Sequence, residues 1–211
     1  MTEPLGLLLV TMEPSAAADE EFQDWYDTEH VPERAAIKNF LTARRFVCLQ
    51  GWPRYLALYD LAYPRVLKEP DYLAISGERF SPWSKRILAR VRGLFRAECV
   101  QLHPGRATFG AAGEPARIVL MRLRGMDRSR EGDMLSGLRK VYEPRGDVLQ
   151  LRVWRSEFDS EPCYVAAAEG HATLDLDNID LSPLGDAKRH VDLLNVYAPY
   201  WRRGALHGVF A

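Results

Sequence analysis

The 211-residue sequence has little of several features by which function is often recognised. Its 28 lysines and arginines balance 29 aspartates and glutamates, so no charge excess points to nucleic acid or to an acidic membrane surface. No apolar run approaches the roughly 20 residues that span a bilayer, and the first residues lack the features of a secretory signal. The three cysteines are too few and too far apart for a disulfide framework. We therefore expect a cytoplasmic protein with no nucleic-acid partner and no membrane partner.

Several catalytic and cofactor motifs are also absent. The sequence has no serine nucleophile motif and no glycine loop of the type that binds phosphate. Its histidines do not show the spacing of metal ligands, so no metal site is predicted. Candidate side chains for acid–base chemistry lie elsewhere in the chain.

The segment that follows the first apolar run suits such chemistry best. Residues 16–31 contain neither glycine nor proline, and apolar side chains recur there at helical spacing, which predicts a helix. His30 lies four residues after Tyr26, so the imidazole and the phenol share one helical face. Because Pro32 cannot donate a backbone hydrogen bond, we expect the helix to kink or stop near His30.

This geometry suggests a role for each side chain. A helix end at His30 would favour the protonated imidazole, and Asp27, Glu29 or Glu33 could orient the ring. We assign general acid–base catalysis to His30 and donation of a hydrogen bond to a developing oxyanion to Tyr26. The alternative is that His30 only caps the helix and that the aromatic residues are core.

The remaining chain alternates strands and helices in an order that repeats. In the first half, strands are predicted at residues 5–12, 41–49, 55–61 and 94–102, with helices at 16–31 and at 72–91, the latter interrupted at Gly77 and Pro82. In the second half, strands are predicted at 117–123, 148–154, 163–169 and 191–197, with helices at 128–142 and, weakly, at 175–190. Each half therefore reads βαββαβ. Residues 201–203 read as a solvated tail.

The two halves are expected to form one α+β barrel. Residues 105–115 have the Gly, Ala and Pro content of a linker, which divides the chain into units 1–104 and 116–211. A four-stranded sheet covered by helices on one face must bury its other face, and two such sheets can cover each other. The barrel interior would be filled by side chains or would hold a small ligand. The second unit has no counterpart of the Tyr26 and His30 cluster, so we expect one working site.

Four further residues are candidates for binding a substrate. Arg44 and Arg152 fall in predicted strands, where alternation could send them inward to meet a carboxylate or an enolate. Trp25 and Tyr59 could line the pocket. The alternative is that the arginines face solvent and that the aromatic rings pack between sheet and helices.

A family resemblance rests on particular residues. They are Trp25-Tyr26, Glu29-His30, Pro32-Glu33-Arg34 and the run Pro53-Arg54-Tyr55-Leu56-Ala57-Leu58-Tyr59. Together with the repeated βαββαβ order, they resemble the dimeric α+β barrel superfamily, particularly its EthD-like branch, in a tandem form. The resemblance implies ferredoxin-like units and a pocket in the barrel or at its mouth. It also implies chemistry on small apolar or aromatic molecules, often without a cofactor.

Three functional hypotheses follow. The leading one is a cofactor-independent isomerase, cyclase or lyase that acts on a small carbonyl or phenolic compound. The second is a non-catalytic domain that binds a small molecule. The third is an oxygenase that works without a cofactor, or with haem bound through a histidine. In each, the expected partner is a small molecule, and the chain could also form a homodimer.

Overall fold

The computed structural model describes residues 3–156 and 161–200, and it has the predicted α+β fold. The strands are β1 (Gly6–Glu13), β2 (Arg44–Gln50), β3 (Tyr55–Leu61), β4 (Arg92–His103), β5 (Arg117–Arg124), β6 (Val148–Ser156), β7 (Cys163–Gly170) and β8 (Val191–Pro199). The α-helices are α1 (Asp19–Trp25), α2 (Val31–Ala35), α3 (Pro70–Leu73), α4 (Pro82–Leu88) and α5 (Glu131–Tyr142). Single turns and 3-10 segments lie at Ala16–Ala18, Pro64–Lys68, Gly77–Arg79, Arg128–Arg130 and Ser182–His190. The tail predicted at residues 201–203 lies outside the described residues.

The eight strands close into one antiparallel barrel in the order β1-β3-β2-β8-β5-β7-β6-β4. Each half therefore contributes four strands in the spatial order fourth, first, third, second, which is the ferredoxin-like order. Two pairings join the halves: Phe46 of β2 lies opposite Pro199 of β8, and Cys99 of β4 lies opposite Ser156 of β6. The predicted fold class is confirmed. No helix in the described part of the chain is long and apolar enough to cross a membrane.

Alternation along the strands separates two apolar layers. On β1, Leu7 and Leu9 point into the barrel, whereas Leu8 and Val10 point outward to the covering helices. The inward layer is fully packed with large side chains. These include Leu7, Leu9, Phe46, Leu56, Leu58, Ile118, Leu120, Trp154, Val165 and Tyr197. The middle of the barrel is therefore a core, which is the first of the two predicted alternatives, an interior filled by side chains and an interior that holds a ligand.

The segment with the composition of a linker closes one end of the barrel. Phe109 is buried there, and its ring centroid lies 5.3 Å from that of Phe46. The backbone N–H of Phe109 donates to Asp60 Oδ2 at 2.7 Å, and that of Gly110 donates to Glu169 Oε2 at 3.0 Å. The segment is thus fixed to both halves by hydrogen bonds to buried carboxylates, unlike a flexible spacer.

The same two carboxylates share one buried arginine. Arg152 Nη1 lies 2.6 Å from Asp60 Oδ1, and Arg152 Nε lies 2.5 Å from Glu169 Oε1. All three side chains are at most 1% exposed. Since Asp60 belongs to the first half and Arg152 and Glu169 to the second, this ion triad ties the halves together inside the barrel.

The first helical segment runs without a stop from residue 16 to residue 35, so of the kink or stop predicted near His30 the stop is wrong. Between α1 and α2, Tyr26–His30 form a π-helical turn, in which the N–H of Val31 donates to the carbonyl of Tyr26. A proline ring crowds the carbonyl four residues earlier, and a widened turn directly before Pro32 gives it room. The irregularity foreseen at this point is therefore a bulge, and the helix continues past it.

The covering segments of the second half pack closely at one point. A Cβ added at Gly137 of α5 would lie 2.8 Å from the carbonyl oxygen of Pro183 and 3.0 Å from the Cα of Leu184. The backbone of α5 is therefore in direct contact with the Ser182–His190 segment, which packs with it over the outer face of the second sheet.

Candidate functional site

A cavity of about 400 Å³ lies in the first half, between the outer face of the sheet and the segments that cover it. Its volume is within the range of small-molecule sites. The sheet contributes Leu8, Val10, Met12, Leu94, Arg96 and Glu98. The covering segments contribute His30, Arg34, Leu67, Lys68, Tyr72, Leu73, Ser76, Gly77, Phe80 and Leu88. The resemblance predicts a pocket in the barrel or at its mouth. The cavity that contains His30 lies instead outside the barrel wall.

His30 lies in the wall of this cavity and is only 7% exposed. The π turn brings its ring to 4.2 Å from the ring centroid of Trp25, five residues earlier. Its Nδ1 is buried and has no hydrogen-bond partner within the described part of the chain. Burial lowers the pKa of His30 well below 6.5, and the positive charges of Arg34 and Arg45 lower it further. The imidazole is therefore neutral at pH 7, and the expectation of a protonated ring at a helix end is corrected.

Arg34 is the second polar group of the site, and the sequence interpretation missed it. It lies four residues after His30, one helical turn on, and is 1% exposed. Its Nη1 donates to Glu33 Oε2 at 2.8 Å, and its Nη2 donates to the carbonyl of Ile75 at 3.2 Å. The four-residue spacing from His30 to Arg34 could have revealed it, but the sequence interpretation predicted a kink or stop near His30 and did not follow the helical face beyond Pro32.

A polar network lies on the sheet side of the cavity. Arg96 Nη2 donates to the hydroxyl of Tyr72 at 3.0 Å, and Arg96 Nη1 lies 2.6 Å from Glu98 Oε1. Lys68 Nζ lies 3.1 Å from the other Glu98 oxygen. Two cationic side chains, Lys68 and Arg96, thus share the single carboxylate of the lining, while Arg34 is paired with Glu33 outside it. The resulting positive potential favours an anionic substrate or a developing oxyanion.

The structure places Tyr26 and Asp27 beside the cavity and not in its lining. Tyr26 is packed edge-on against His30, with ring centroids 5.3 Å apart, and the Arg45 guanidinium lies 4.2 Å from the Tyr26 ring centroid. Burial raises the pKa of Tyr26 to about 12. Asp27 accepts a hydrogen bond from Arg45 Nη1 at 2.8 Å, and Gln23 is the other partner of Arg45. Asp27 thus holds Arg45, one of the two charges that lower the pKa of His30.

Glu29 connects the helical segment to α4 and is not bonded to His30. It accepts hydrogen bonds from Ser81 Oγ at 2.5 Å and from Ser84 Oγ at 3.0 Å. Ser84 Oγ in turn accepts from the indole Nε1 of Trp25 at 2.9 Å. Glu29 therefore orients His30 only indirectly, through Ser84 and the indole on which the imidazole packs.

The other predicted binding residues are not part of the cavity lining. Tyr59 is buried behind it, with its ring centroid 6.0 Å from that of Phe40 and its pKa raised well above 10 by burial. Arg44 points into the barrel, where its guanidinium carbon lies 5.8 Å from the ring centroid of Phe109. Arg152 is the centre of the ion triad. Trp25 remains next to the site through its contact with His30.

The comparisons with known proteins support the fold. No protein-family model and no curated protein matches the sequence. Among solved structures, an anthrone oxidase-like protein superposes with a TM-score of 0.68 at 9% identity, over 94% of this chain and 92% of that one. A candidate chlorite dismutase superposes with a TM-score of 0.57 at 10% identity, over 99% of this chain and 100% of that one. A haem-binding protein from Thermus thermophilus superposes with a TM-score of 0.53 at 8% identity, over 99% of this chain and 96% of that one. At such low identity the likeness establishes one conclusion: the chain has the fold of the dimeric α+β barrel proteins, with both ferredoxin-like units in a single polypeptide.

Proposed function

We infer that the chain is a cofactor-independent enzyme, related to the EthD-like branch, that moves protons on a small apolar or aromatic carbonyl or phenolic compound. One observation carries this proposal. A buried histidine that is neutral at pH 7, with an unbonded Nδ1, lies in the wall of an apolar cavity beside a buried arginine. A neutral imidazole can accept a proton at physiological pH, and the arginine can stabilise the anion that results.

The acid–base cycle follows from the surroundings of His30. The imidazole takes a proton from an acidic C–H or O–H group of the substrate, and Arg34 stabilises the negative charge that develops on the substrate oxygen. The imidazolium then lies near two arginines that disfavour its charge. It is therefore more acidic than an ordinary imidazolium and readily returns the proton, to the same atom or to another one. Return to another atom is an isomerisation, and the same anion can cyclise or expel a leaving group.

The cavity defines the type of substrate. Its walls are mostly aliphatic and aromatic side chains, and its volume of about 400 Å³ accommodates a compound of a few fused rings. Lys68, Arg34 and Arg96 favour a carbonyl, phenolate or carboxylate oxygen on that compound. A flat aromatic ketone or phenol meets both requirements.

A cofactor-free oxygenase is the second candidate. The solved structure with a TM-score of 0.68 is described as anthrone oxidase-like, and an anthrone is a flat aromatic ketone whose tautomer is a phenol. Removal of one proton from such a compound gives an electron-rich anion that can react directly with dioxygen. The same His30 step would begin this reaction, and oxygen uptake would distinguish it from isomerisation.

Haem fits the cavity poorly. A neutral imidazole is a suitable axial ligand, but the His30 ring packs on Trp25 and the cavity has the volume of a ligand smaller than a porphyrin. We therefore derive no step through haem. A Soret band in the purified protein would contradict this assignment.

The proposal predicts hydrogen exchange catalysed by the protein alone. In anaerobic D2O with a chelator present, purified protein should speed loss of the acidic C–H signals of 2-tetralone or anthrone, followed by proton NMR. Arg34→Met should reduce the exchange rate by about 100-fold, because the oxyanion loses its principal donor. Arg86→Met is the matched control, since Arg86 is an exposed residue of α4 that pairs with Glu21, outside the cavity lining. Binding of these compounds without exchange would instead favour a non-catalytic binding domain.

A further inference from the structure

A second cavity lies at the end of the barrel opposite the segment that carries Phe109. It measures about 410 Å³ and lies where β1, β5 and the β2–β3 hairpin meet the first residues of β4 and β8. We call this cavity the barrel mouth. It is lined by Thr11, Trp52, Pro53, Gly93, Leu94, Phe95, Arg122, Arg124, Asp192, Leu193, Leu194 and Asn195. Apart from Leu94, none of these residues lines the His30 cavity.

The base of the barrel mouth is held rigidly by hydrogen bonds. The Tyr197 hydroxyl donates to the carbonyl of Pro53 at 3.0 Å, and Asn195 Nδ2 donates to the Tyr197 hydroxyl at 2.9 Å. Asn195 Nδ2 also donates to the carbonyl of Trp52 at 2.8 Å. These bonds fix the β2–β3 hairpin, and with it the position of Trp52, against the end of the barrel.

Trp52 is placed across the barrel mouth by a glycine. A Cβ added at Gly93 would lie 2.4 Å from Cη2 of the Trp52 indole, and the Gly93 φ of +58° also favours glycine. The indole therefore lies directly against the backbone of β4, next to Phe95. At 54% exposure it is the most exposed large apolar side chain in the described residues. An exposed indole beside a cavity provides a flat surface on which a ring can stack.

The opposite side of the barrel mouth is cationic. Arg122 forms a bidentate pair with Asp192 through Nε and Nη2, both at 2.8 Å, and its guanidinium carbon lies 4.3 Å from the ring centroid of Phe95. Arg124 lies 5.1 Å from the same centroid, and its Nε is 3.6 Å from Asp192. Two guanidinium groups thus share one carboxylate, which leaves one positive charge. Because Asp192 is already occupied by Arg122, Arg124 is the group available to an anionic ligand.

We propose that the barrel mouth is a second small-molecule site, which binds a flat aromatic carboxylate with its ring against Trp52 and Phe95 and its carboxylate on Arg124. Stacking provides the apolar contact, and the uncompensated guanidinium provides the charge. The site contains no residue of the acid–base machinery, so it is a binding site and not a second catalytic centre. It is independent of the proposed function of the His30 cavity.

Binding of 2-naphthoate, measured by isothermal titration calorimetry, tests this proposal. Trp52→Ala should raise the dissociation constant of the barrel-mouth site at least 10-fold, and Arg124→Gln should do the same and also weaken its salt dependence. Trp52→Phe should keep most of the wild-type affinity, because phenylalanine retains a stacking surface that alanine lacks. Arg139→Gln is the matched control for Arg124→Gln, since it removes an exposed arginine of α5 that pairs with Glu143.

His30→Gln separates the two cavities. The barrel-mouth affinity should be unchanged in that variant, whatever happens to activity or to binding in the His30 cavity. The proposal is overturned if the wild-type protein does not bind 2-naphthoate, if the Trp52 and Arg124 variants bind as tightly as the wild type, or if only His30→Gln abolishes binding. Matching melting temperatures of the surface variants would show that each comparison is made on folded protein.

Discussion

Replacing His30 with glutamine is expected to lower turnover of the substrate by about 10² to 10⁴-fold, the usual contribution of a general acid–base residue. Glutamine is similar in size but cannot accept and return a proton near neutral pH. Since His30 Nδ1 makes no hydrogen bond within the described residues, the substitution removes no polar contact there. The loss should therefore appear in kcat more than in stability. Steady-state kinetics on folded variant protein would measure it.

A histidine outside the cavity provides the control. His171 follows β7 and is exposed, so His171→Gln should leave turnover unchanged. If His30→Gln retained full activity while remaining folded, His30 would have no role in proton transfer and the cavity would have to act by binding alone.

The second large effect concerns stability. Arg152→Met is expected to lower the free energy of unfolding by about 3–5 kcal/mol, the usual cost of leaving buried charges unpaired. The variant keeps a side chain of similar length but leaves Asp60 and Glu169 without their shared cation inside the barrel. Urea unfolding followed by circular dichroism would measure the change. Arg139→Met, which removes an exposed pair with Glu143, should cost less than about 1 kcal/mol.

The destabilisation should depend on pH in a defined direction. Burial raises the pKa of Glu169 even with Arg152 present, and without Arg152 the folded-state pKa of this carboxyl should rise further above its unfolded value of about 4. A group with a raised folded-state pKa binds its proton more tightly in the folded state, so the variant gains relative stability as pH falls. The difference in the free energy of unfolding between the variant and the wild type should be largest near pH 7 and smaller near pH 5. A deficit that grew on acidification would contradict an electrostatic role for the triad.

Much of the fold could be predicted from the sequence because the strands carry a strong local signal. Tyr55–Leu61 matches its predicted bounds, and the other strands differ from theirs by a few residues at their ends. Because the repeated βαββαβ order leaves few ways to bury both sheets, it also predicted the barrel. The role of residues 105–115 could not be predicted in this way. Their Gly and Pro content resembles that of a linker, and only the closed barrel shows Asp60 and Glu169 meeting their backbone.

Part of the candidate site could be recognised in the sequence. His30 lines the cavity, but because a kink or stop was predicted near it, the turn beyond Pro32, which carries Arg34, was not considered. The π turn that keeps the helix intact has no simple sequence signature. Leu94, Arg96 and Glu98 occupy every second position along β4 and line the same cavity. That period of two was visible, but the sequence did not show which face of the sheet would contain the site.

The proposed mechanism requires a neutral imidazole at His30, and titration of this ring measures its protonation state. Proton–nitrogen NMR of uniformly labelled protein, with the His30 signals identified by their loss in His30→Gln, would follow the imidazole as pH is lowered. The structure predicts a neutral ring that titrates well below pH 6.5, with a midpoint that moves upward when Arg34 is replaced by methionine. A midpoint at or above 6.5 in the wild-type protein would show a solvated or ion-paired imidazole and would contradict the proposed mechanism.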